Sequence, residues 1–183
     1  ENASNAVVAE ENANVGADTI NFNIPGPTPH IIIPPSPLPA ITETVTINGT
    51  SQPDFIGTPV VELNGISAGA SSGLVINAPS CVVRGLVINR FSGNGIAVGG
   101  NGNIIEGNFI GTNATGSFAL GNAQDGVFIS TSSGNLIGGT TAAARNLLSG
   151  NRNGVNIFGV GTGNQVRGNS IGTNSSGTLS LGN

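Results

Sequence analysis

Residues 107–122 read GNFIGTNATGSFALGN, and residues 168–183 repeat this stretch as GNSIGTNSSGTLSLGN. The two copies lie 61 residues apart and share 10 of their 16 residues without a gap. Composition alone does not produce a gapless match of this length, so the chain contains an internal repeat. Repeats at a fixed spacing are typical of solenoids, in which each unit packs on the next one.

The composition favours an ordered, turn-rich β protein. Of 183 residues, 30 are glycine, while hydrophobic residues make up 37 % and charged residues only 8 %. Disordered chains show the opposite pattern, with few hydrophobic residues and much charge. The net charge of −4, without a basic cluster, argues against nucleic acid, whose binding depends on phosphate neutralisation. No apolar run approaches the ~18 residues of a membrane span, so we expect no membrane insertion.

The first part of the chain is less regular than the rest. Residues 1–17 contain a modest helical signal at positions 6–13, and we predict a short helix or lead-in that caps the first coil. Residues 18–72 contain strand patterns at 19–24, 30–33, 44–49 and 59–65, separated by proline-rich turns, and are predicted to form irregular early coils. The chain opens on Glu1 and closes inside a repeat, so we expect a piece of a longer protein.

From residue 73 to residue 183 the strand pattern becomes regular. A tetrad of glycine, apolar residue, any residue and apolar residue begins at Gly73, Gly95, Gly126 and Gly154, with spacings of 22, 31 and 28 residues. Two further short strand patterns follow each tetrad. Three strands per coil, with insertions of variable length at the corners, predict an all-β parallel β-helix of about six coils. A β-sandwich is the alternative, but it gives no reason for the same strand type to return at the same offset.

The repeats also resemble a known family. The stretches GLVINRFSGN at 85–94, GNFIGTNATG at 107–116 and ARNLLSGN at 144–151 resemble the repeats of bacterial right-handed parallel β-helix proteins. Residues 11–20 resemble the segment that follows the CSLREA box of large exported members, although the box itself is absent. The resemblance implies a right-handed, pectate-lyase-like fold and an extracellular or cell-surface location. It implies no single activity.

Strand alternation sorts the tetrads into inward and outward columns. We expect a stacked aliphatic core inside, and Val75, Ala97, Phe128 and Asn156 outside. Pectate lyases and polygalacturonases, which share the implied fold, place their cleft over the corresponding sheet and need clustered carboxylates there. The outward column has none, which argues against polysaccharide cleavage on this face. The sequence marks no catalytic, cofactor-binding or metal-binding set.

Asparagines recur at two equivalent positions of successive coils. The first column begins at Cys81 and the second lies below Leu86. We predict that both are asparagine ladders, whose amides hydrogen-bond the next coil; a ligand-binding array of amides is the alternative. The ladder residues are Asn103, Asn135 and Asn164 in the first column, and Asn108, Asn146 and Asn169 in the second.

The remaining charged residues are predicted to be structural. Arg84 and Glu106 occupy equivalent outward positions in adjacent coils, so we predict a cross-coil ion pair. Asp18, Asp54 and Asp125 lie far apart in the sequence and are interpreted as turn or cap residues, and His30 among its prolines as structural or solvent-facing.

One outward set is apolar over several coils. It is either a contact surface or is covered by the corner loops at 112–125 and 140–145. Its members are Val82, Ile104 and Leu136 on the second strand and Val87, Phe109 and Leu147 on the third.

The sequence therefore favours a non-enzymatic structural or adhesive β-solenoid module outside the cell. Its expected partners are other copies of itself, stacked end to end into filaments, or surface glycans. A polysaccharide lyase or hydrolase of the pectate-lyase-like class is the alternative. The repeated loop should project from one side of the helix every second coil, at intervals of ~10 Å, and is the first place to look for a partner.

Overall fold

The computed structural model describes residues 18–183 of the chain. The predicted cap or helix at 1–17 lies outside the described residues. Among the residues described, no helix is long and apolar enough to cross a membrane.

The described part of the chain consists mainly of short strands. In chain order they are β1 (Asp18–Asn21), β2 (His30–Ile32), β3 (Val45–Asn48), β4 (Val61–Asn64), β5 (Leu74–Ile76), β6 (Val82–Arg84), β7 (Leu86–Asn89), β8 (Ile96–Val98), β9 (Ile104–Glu106), β10 (Phe109–Ile110), β11 (Val127–Ser130), β12 (Leu136–Gly138), β13 (Leu147–Leu148), β14 (Val155–Phe158), β15 (Gln165–Arg167) and β16 (Ser170–Ile171). Two short 3-10 turns follow β3 and β4, at Gly49–Ser51 and Gly65–Ser67.

These strands form three parallel sheets. Sheet A has the order β1-β3-β6-β9-β12-β15, sheet B the order β2-β4-β7-β10-β13-β16, and sheet C the order β5-β8-β11-β14. Each strand pairs in parallel with its counterpart from the neighbouring coil. This arrangement is a parallel β-helix, and the prediction of fold class is confirmed.

A one-residue corner separates sheet A from sheet B. Gly85 joins β6 to β7 with a φ of 71°, and Gly107 and Gly168 lie at the equivalent place with φ of 63° and 70°. The left-handed region favours glycine because a side chain there meets the backbone. A Cβ on Gly85 would also lie 2.8 Å from the backbone N of Thr50. The corner therefore needs glycine both for its conformation and for the close packing of coils.

The core lies between the three sheets and runs along the helix axis. In sheet C the expected inward residues of the first three tetrads are buried, whereas Val75, Ala97 and Phe128 are half-buried on the outer face. In the last described coil Val155 is half-buried and Ile157 is 45 % exposed. Cys81 is fully buried in this core, and its burial raises the pKa of the thiol.

The early segment 18–72 contributes strands to only two of the sheets. Strands β1 and β3 extend sheet A, and β2 and β4 extend sheet B, in register with the later coils. In sheet C this segment adds a single bridge, from Ile41 to Ile76. The proline-rich stretch at 34–39 forms no strand, since proline cannot donate to a ladder.

Candidate functional site

The first predicted column is a ladder of hydrogen bonds at the start of the sheet A strands. The backbone N–H of Cys81 donates to Oδ1 of Asn103 at 2.7 Å, and the N–H of Asn103 donates to Oδ1 of Asn135 at 2.8 Å. The N–H of Asn135 donates in turn to Oδ1 of Asn164 at 2.9 Å. Asn103 and Asn135 are fully buried, so these amides join one coil to the next and face no ligand.

The second predicted column forms an equivalent ladder at the start of the sheet B strands. Oδ1 of Asn108 accepts from the N–H of Leu86 at 3.0 Å, Asn146 from Asn108 at 2.9 Å and Asn169 from Asn146 at 3.2 Å. The Nδ2 groups donate to backbone oxygens of an adjacent coil; Asn146 Nδ2, for example, donates to Ile105 O at 2.8 Å. Each amide therefore satisfies a donor and an acceptor that the corner would otherwise leave buried and unpaired.

A third ladder, which the sequence reading missed, follows sheet B. Oδ1 of Asn122 accepts from the N–H of Phe91 at 3.1 Å, Asn151 from Asn122 at 3.1 Å and Asn183 from Asn151 at 3.2 Å. The signal was present in the sequence, because each of these asparagines follows a glycine. It was hidden because the first and third members lie inside the repeated loop and the second in a shorter corner.

The repeated loop is a small hairpin organised by its own asparagine. Oδ1 of Asn113 accepts from the N–H groups of Ser117 and Phe118 at 2.9 and 3.0 Å. Oδ1 of Asn174 accepts from Thr178 and Leu179 at 2.9 and 3.1 Å, so the two copies share one geometry. The side chains of Phe118 and Leu179 are exposed at equivalent positions.

The two loop copies, which the sequence predicts to project from one side of the helix on every second coil, touch each other. The N–H of Ser175 donates to Gly116 O at 2.9 Å, and its hydroxyl donates to Thr115 O at 3.0 Å. The loops bridge the intervening coil because they lean along the axis over β13. They form one continuous ridge rather than a row of isolated tips.

The same loop also covers part of the apolar outward set. A Cβ on Gly116 would lie 2.8 Å from Leu147 Cδ2 and 3.0 Å from Phe109 Cε2, so the loop packs directly on both side chains. Leu147 and Val87 are buried, and Phe109 is half-buried. Of the two alternatives that the sequence leaves open, coverage by the corner loop therefore holds for Leu147, and Val87 is buried as well. The sheet A members Val82, Ile104 and Leu136 are half-buried.

Arg84 and Glu106 do not form the predicted ion pair. They are in register on β6 and β9, but the salt bridges among residues 18–183 do not include this pair. Arg84 Nε instead donates to Asn48 Oδ1 at 2.9 Å. The arginine side chain reaches the preceding coil, where an uncharged acceptor holds it, and so it does not extend towards Glu106.

A groove of about 570 Å³ runs along the corner between sheets A and B. Arg84, Glu106 and Phe109 line it, together with Phe55, residues 57–59 and the segment 141–145. Arg145 lies in the last of these segments, and its Nε donates to Gly168 O at 3.0 Å. The groove thus brings two guanidinium groups, one carboxylate and the half-buried aromatic side chains of Phe55 and Phe109 to one place.

Asp125, interpreted from the sequence as a turn or cap residue, is a buried carboxylate. Its Oδ1 accepts from Arg152 Nη2 at 3.2 Å and from Asn153 Nδ2 at 2.7 Å. Its Oδ2 accepts from Asn156 Nδ2 at 2.8 Å. These charge-assisted hydrogen bonds from the next coil tie two coils together.

His30 and Asp54, which the sequence separated, meet in the early coils. His30 is buried, and its Nε2 lies 2.9 Å from Asp54 Oδ2. The carboxylate can only accept, so Nε2–H is the donor. This hydrogen bond holds the pKa of Asp54 below its ordinary value. Gln52 lies beside the pair and binds both the N–H and the carbonyl of Ile24.

The outer face of sheet C carries a shallow depression of about 240 Å³. Val75, Ala97 and Phe128 line it, and no carboxylate is among its lining residues in the described part of the chain. Groups of three or more histidine, cysteine or acidic side chains able to hold a metal ion are absent from the described residues.

Comparisons of this chain with protein-family models, with curated proteins and with solved structures find no match.

Proposed function

We propose that this chain is a non-enzymatic structural or adhesive β-solenoid module that works outside the cell. The observation that carries the proposal is the set of three asparagine ladders. Together they place buried, hydrogen-bonded amides at three corners of successive coils. In such an arrangement the buried polar side chains hydrogen-bond one coil to the next. This suits a stiff rod whose surface repeats along its length.

The distribution of carboxylates supports a binding or structural role over cleavage. Hydrolysis of a glycosidic bond usually needs two carboxylates on opposite sides of the bond. Among residues 18–183, Glu106 is the one carboxylate that lines the corner groove, and Asp125 is buried with its oxygens hydrogen-bonded. The chain's polar chemistry is therefore concentrated on holding coils together.

A polysaccharide lyase or hydrolase remains the second candidate, because one groove contains Arg84, Arg145 and Glu106. In such a groove a carboxylate can transfer a proton, and an arginine can stabilise the negative charge that develops on the substrate. An experiment can distinguish the two proposals by asking whether the chain cleaves a glycan or only binds it.

The test is a turnover screen of uronic-acid and neutral polysaccharides, with and without Ca²⁺, read by reducing ends and by absorbance of unsaturated products. We expect no turnover with the wild-type chain. Turnover that Glu106→Gln abolishes, while the exposed-site control Glu43→Gln retains it, would overturn the non-enzymatic proposal.

A further inference from the structure

We infer that the corner groove between sheets A and B binds an acidic glycan through the carboxylate or sulfate groups on its sugars. This inference rests on the proposed adhesive role and deepens it, because it names the site and the ligand chemistry.

The charge of the groove opposes that of the chain. Within the described part of the chain, Arg84 and Arg145 line it with a single carboxylate, Glu106, so these lining residues carry a formal charge of +1. The whole chain carries −4. A local positive site on an acidic protein attracts anions while the remaining surface repels them, and this raises selectivity for the groove.

Both guanidinium groups are anchored through their Nε atoms. Nε of Arg84 is fixed by Asn48 at 2.9 Å, and Nε of Arg145 by Gly168 at 3.0 Å. Within residues 18–183, the Nη atoms of these two arginines make no hydrogen bond or salt bridge. Pre-positioned guanidinium forks suit the oxygens of carboxylate or sulfate, and anchoring lowers the entropy lost on binding.

The rest of the lining suits a sugar. Phe55 and Phe109 are half-buried and give the groove apolar surface. Thr58 and Ser170 line the same groove with hydroxyl groups. A volume of about 570 Å³ falls within the range of roughly 300–1,000 Å³ seen for small-molecule sites.

The backbone beside the groove favours a glycan over an extended peptide. Peptides commonly bind by adding a strand to a free sheet edge. Here β6 pairs on both sides, with β3 and β9, and β10 pairs with β7 and β13. Strand addition is therefore blocked at this corner, and the lining side chains include guanidinium groups, aromatic rings and hydroxyls.

The experiment is isothermal titration calorimetry of the full 183-residue chain with four probes at physiological salt. The probes are a sulfated heparin tetrasaccharide, a trimer of galacturonic acid, neutral maltotetraose and a hexaglutamate peptide. We expect binding of one or both acidic sugars and none of the neutral one. If only the sulfated or only the carboxylated sugar binds, the oxyanion is identified and the inference stands.

The variants Arg84→Gln and Arg145→Gln test whether the corner groove is the binding site. Loss of one charged hydrogen-bond donor should weaken binding about tenfold or more. Arg90→Gln is the matched control, since Arg90 is exposed and does not line the groove. Thermal unfolding of each variant establishes that it is folded before its affinity is compared.

The contrary outcomes are distinct. Equal binding by all variants would overturn the groove as the site and leave an adhesive role intact. Equal affinity for maltotetraose or for hexaglutamate would overturn the ligand assignment. No binding of any sugar would overturn this inference together with the glycan-adhesive role, and cleavage of a probe would overturn the non-enzymatic proposal.

Discussion

At the scale of single residues, the ladder asparagines stabilise the fold because one side-chain amide hydrogen-bonds two backbone groups. Asn146 accepts the N–H of Asn108 at 2.9 Å and donates to Ile105 O at 2.8 Å. It is fully buried, so water cannot replace either contact. Removal of such an amide leaves both backbone groups unpaired in the interior, and their desolvation dominates the cost.

We predict that Asn146→Ala lowers the free energy of unfolding by about 2–4 kcal/mol, since two buried backbone groups lose their partner. The measurement is chemical denaturation followed by circular dichroism. Asn23→Ala is the control, because Asn23 is exposed and its side chain makes no hydrogen bond within the described residues; we expect it to be close to wild type. Equal stability of the two variants would contradict the ladder's energetic role.

The His30–Asp54 pair predicts a pH dependence. The hydrogen bond from His30 lowers the pKa of Asp54 from its ordinary 3.8. A carboxyl group whose pKa is lower in the folded state stabilises that state fully above its unfolded pKa. This contribution is lost as the pH falls through the folded pKa.

We therefore predict that Asp54→Asn is less stable than the wild type near neutral pH, and that this difference shrinks as the pH falls below 3.8. The measurement is the free energy of unfolding of both proteins across an acid pH series. A difference that stays constant down to about pH 2 would show that the charge of Asp54 does not contribute.

At the scale of elements, the corners decide how closely coils approach. Gly85 combines a φ of 71° with close contact to Thr50 of the preceding coil. Gly69 has a nearly equal φ of 73°, but a Cβ there would meet nothing within 4 Å. Comparing the same substitution at these two glycines therefore separates the free-energy cost of the left-handed backbone conformation from the cost of steric overlap between coils.

We predict that Gly69→Ala costs about 1 kcal/mol, the usual strain of a side chain in the left-handed region, and that Gly85→Ala costs at least about 2 kcal/mol more. The reason is that a Cβ on Gly85 would lie 2.8 Å from the backbone N of Thr50, which cannot move without shifting its coil. Thermal and chemical unfolding of both variants provide the comparison. Equal losses would mean that the coils relax around the added methyl group.

At the scale of the whole molecule, the core is a column that needs a neighbour on each side. Ile129, Ile137 and Leu148 are fully buried between coils. Their in-register partners in the last described coil, Ile157, Val166 and Ile171, are 45 %, 41 % and 47 % exposed. These side chains form an apolar end face that another coil of the same kind would fit.

We predict that the 183-residue chain self-associates through this end face, with a coil of a second copy as the occupant. The measurement is sedimentation across a concentration range, and Ile157→Asp should weaken association because it places a charge in the apolar contact. Ile56→Asp is the control, since Ile56 is 90 % exposed and does not belong to this face. A strict monomer at high concentration would contradict end-to-end assembly.

The local residue pattern of the sequence determined the strands and ladders of each regular coil. Glycine tetrads, apolar alternation and recurring asparagines predicted the strands of sheets A, B and C and two of the three ladders, since a repeat brings equivalent residues to equivalent places. The corner insertions hid the third ladder, which contains Asn122, Asn151 and Asn183.

Only the tertiary structure decided what the insertions and long side chains contact. The loop at 112–122 leans on Phe109 and Leu147, Arg84 reaches Asn48, and His30 meets Asp54. The loop contact and the His30–Asp54 contact do not follow from strand alternation, because each joins segments whose distance depends on the path of an irregular loop. Arg84 and Asn48 are in register on neighbouring strands, but only the orientation of the arginine side chain decides that it bonds Asn48 and not Glu106. The groove at the corner also depends on irregular loops, because its lining comes partly from regular coils and partly from insertions.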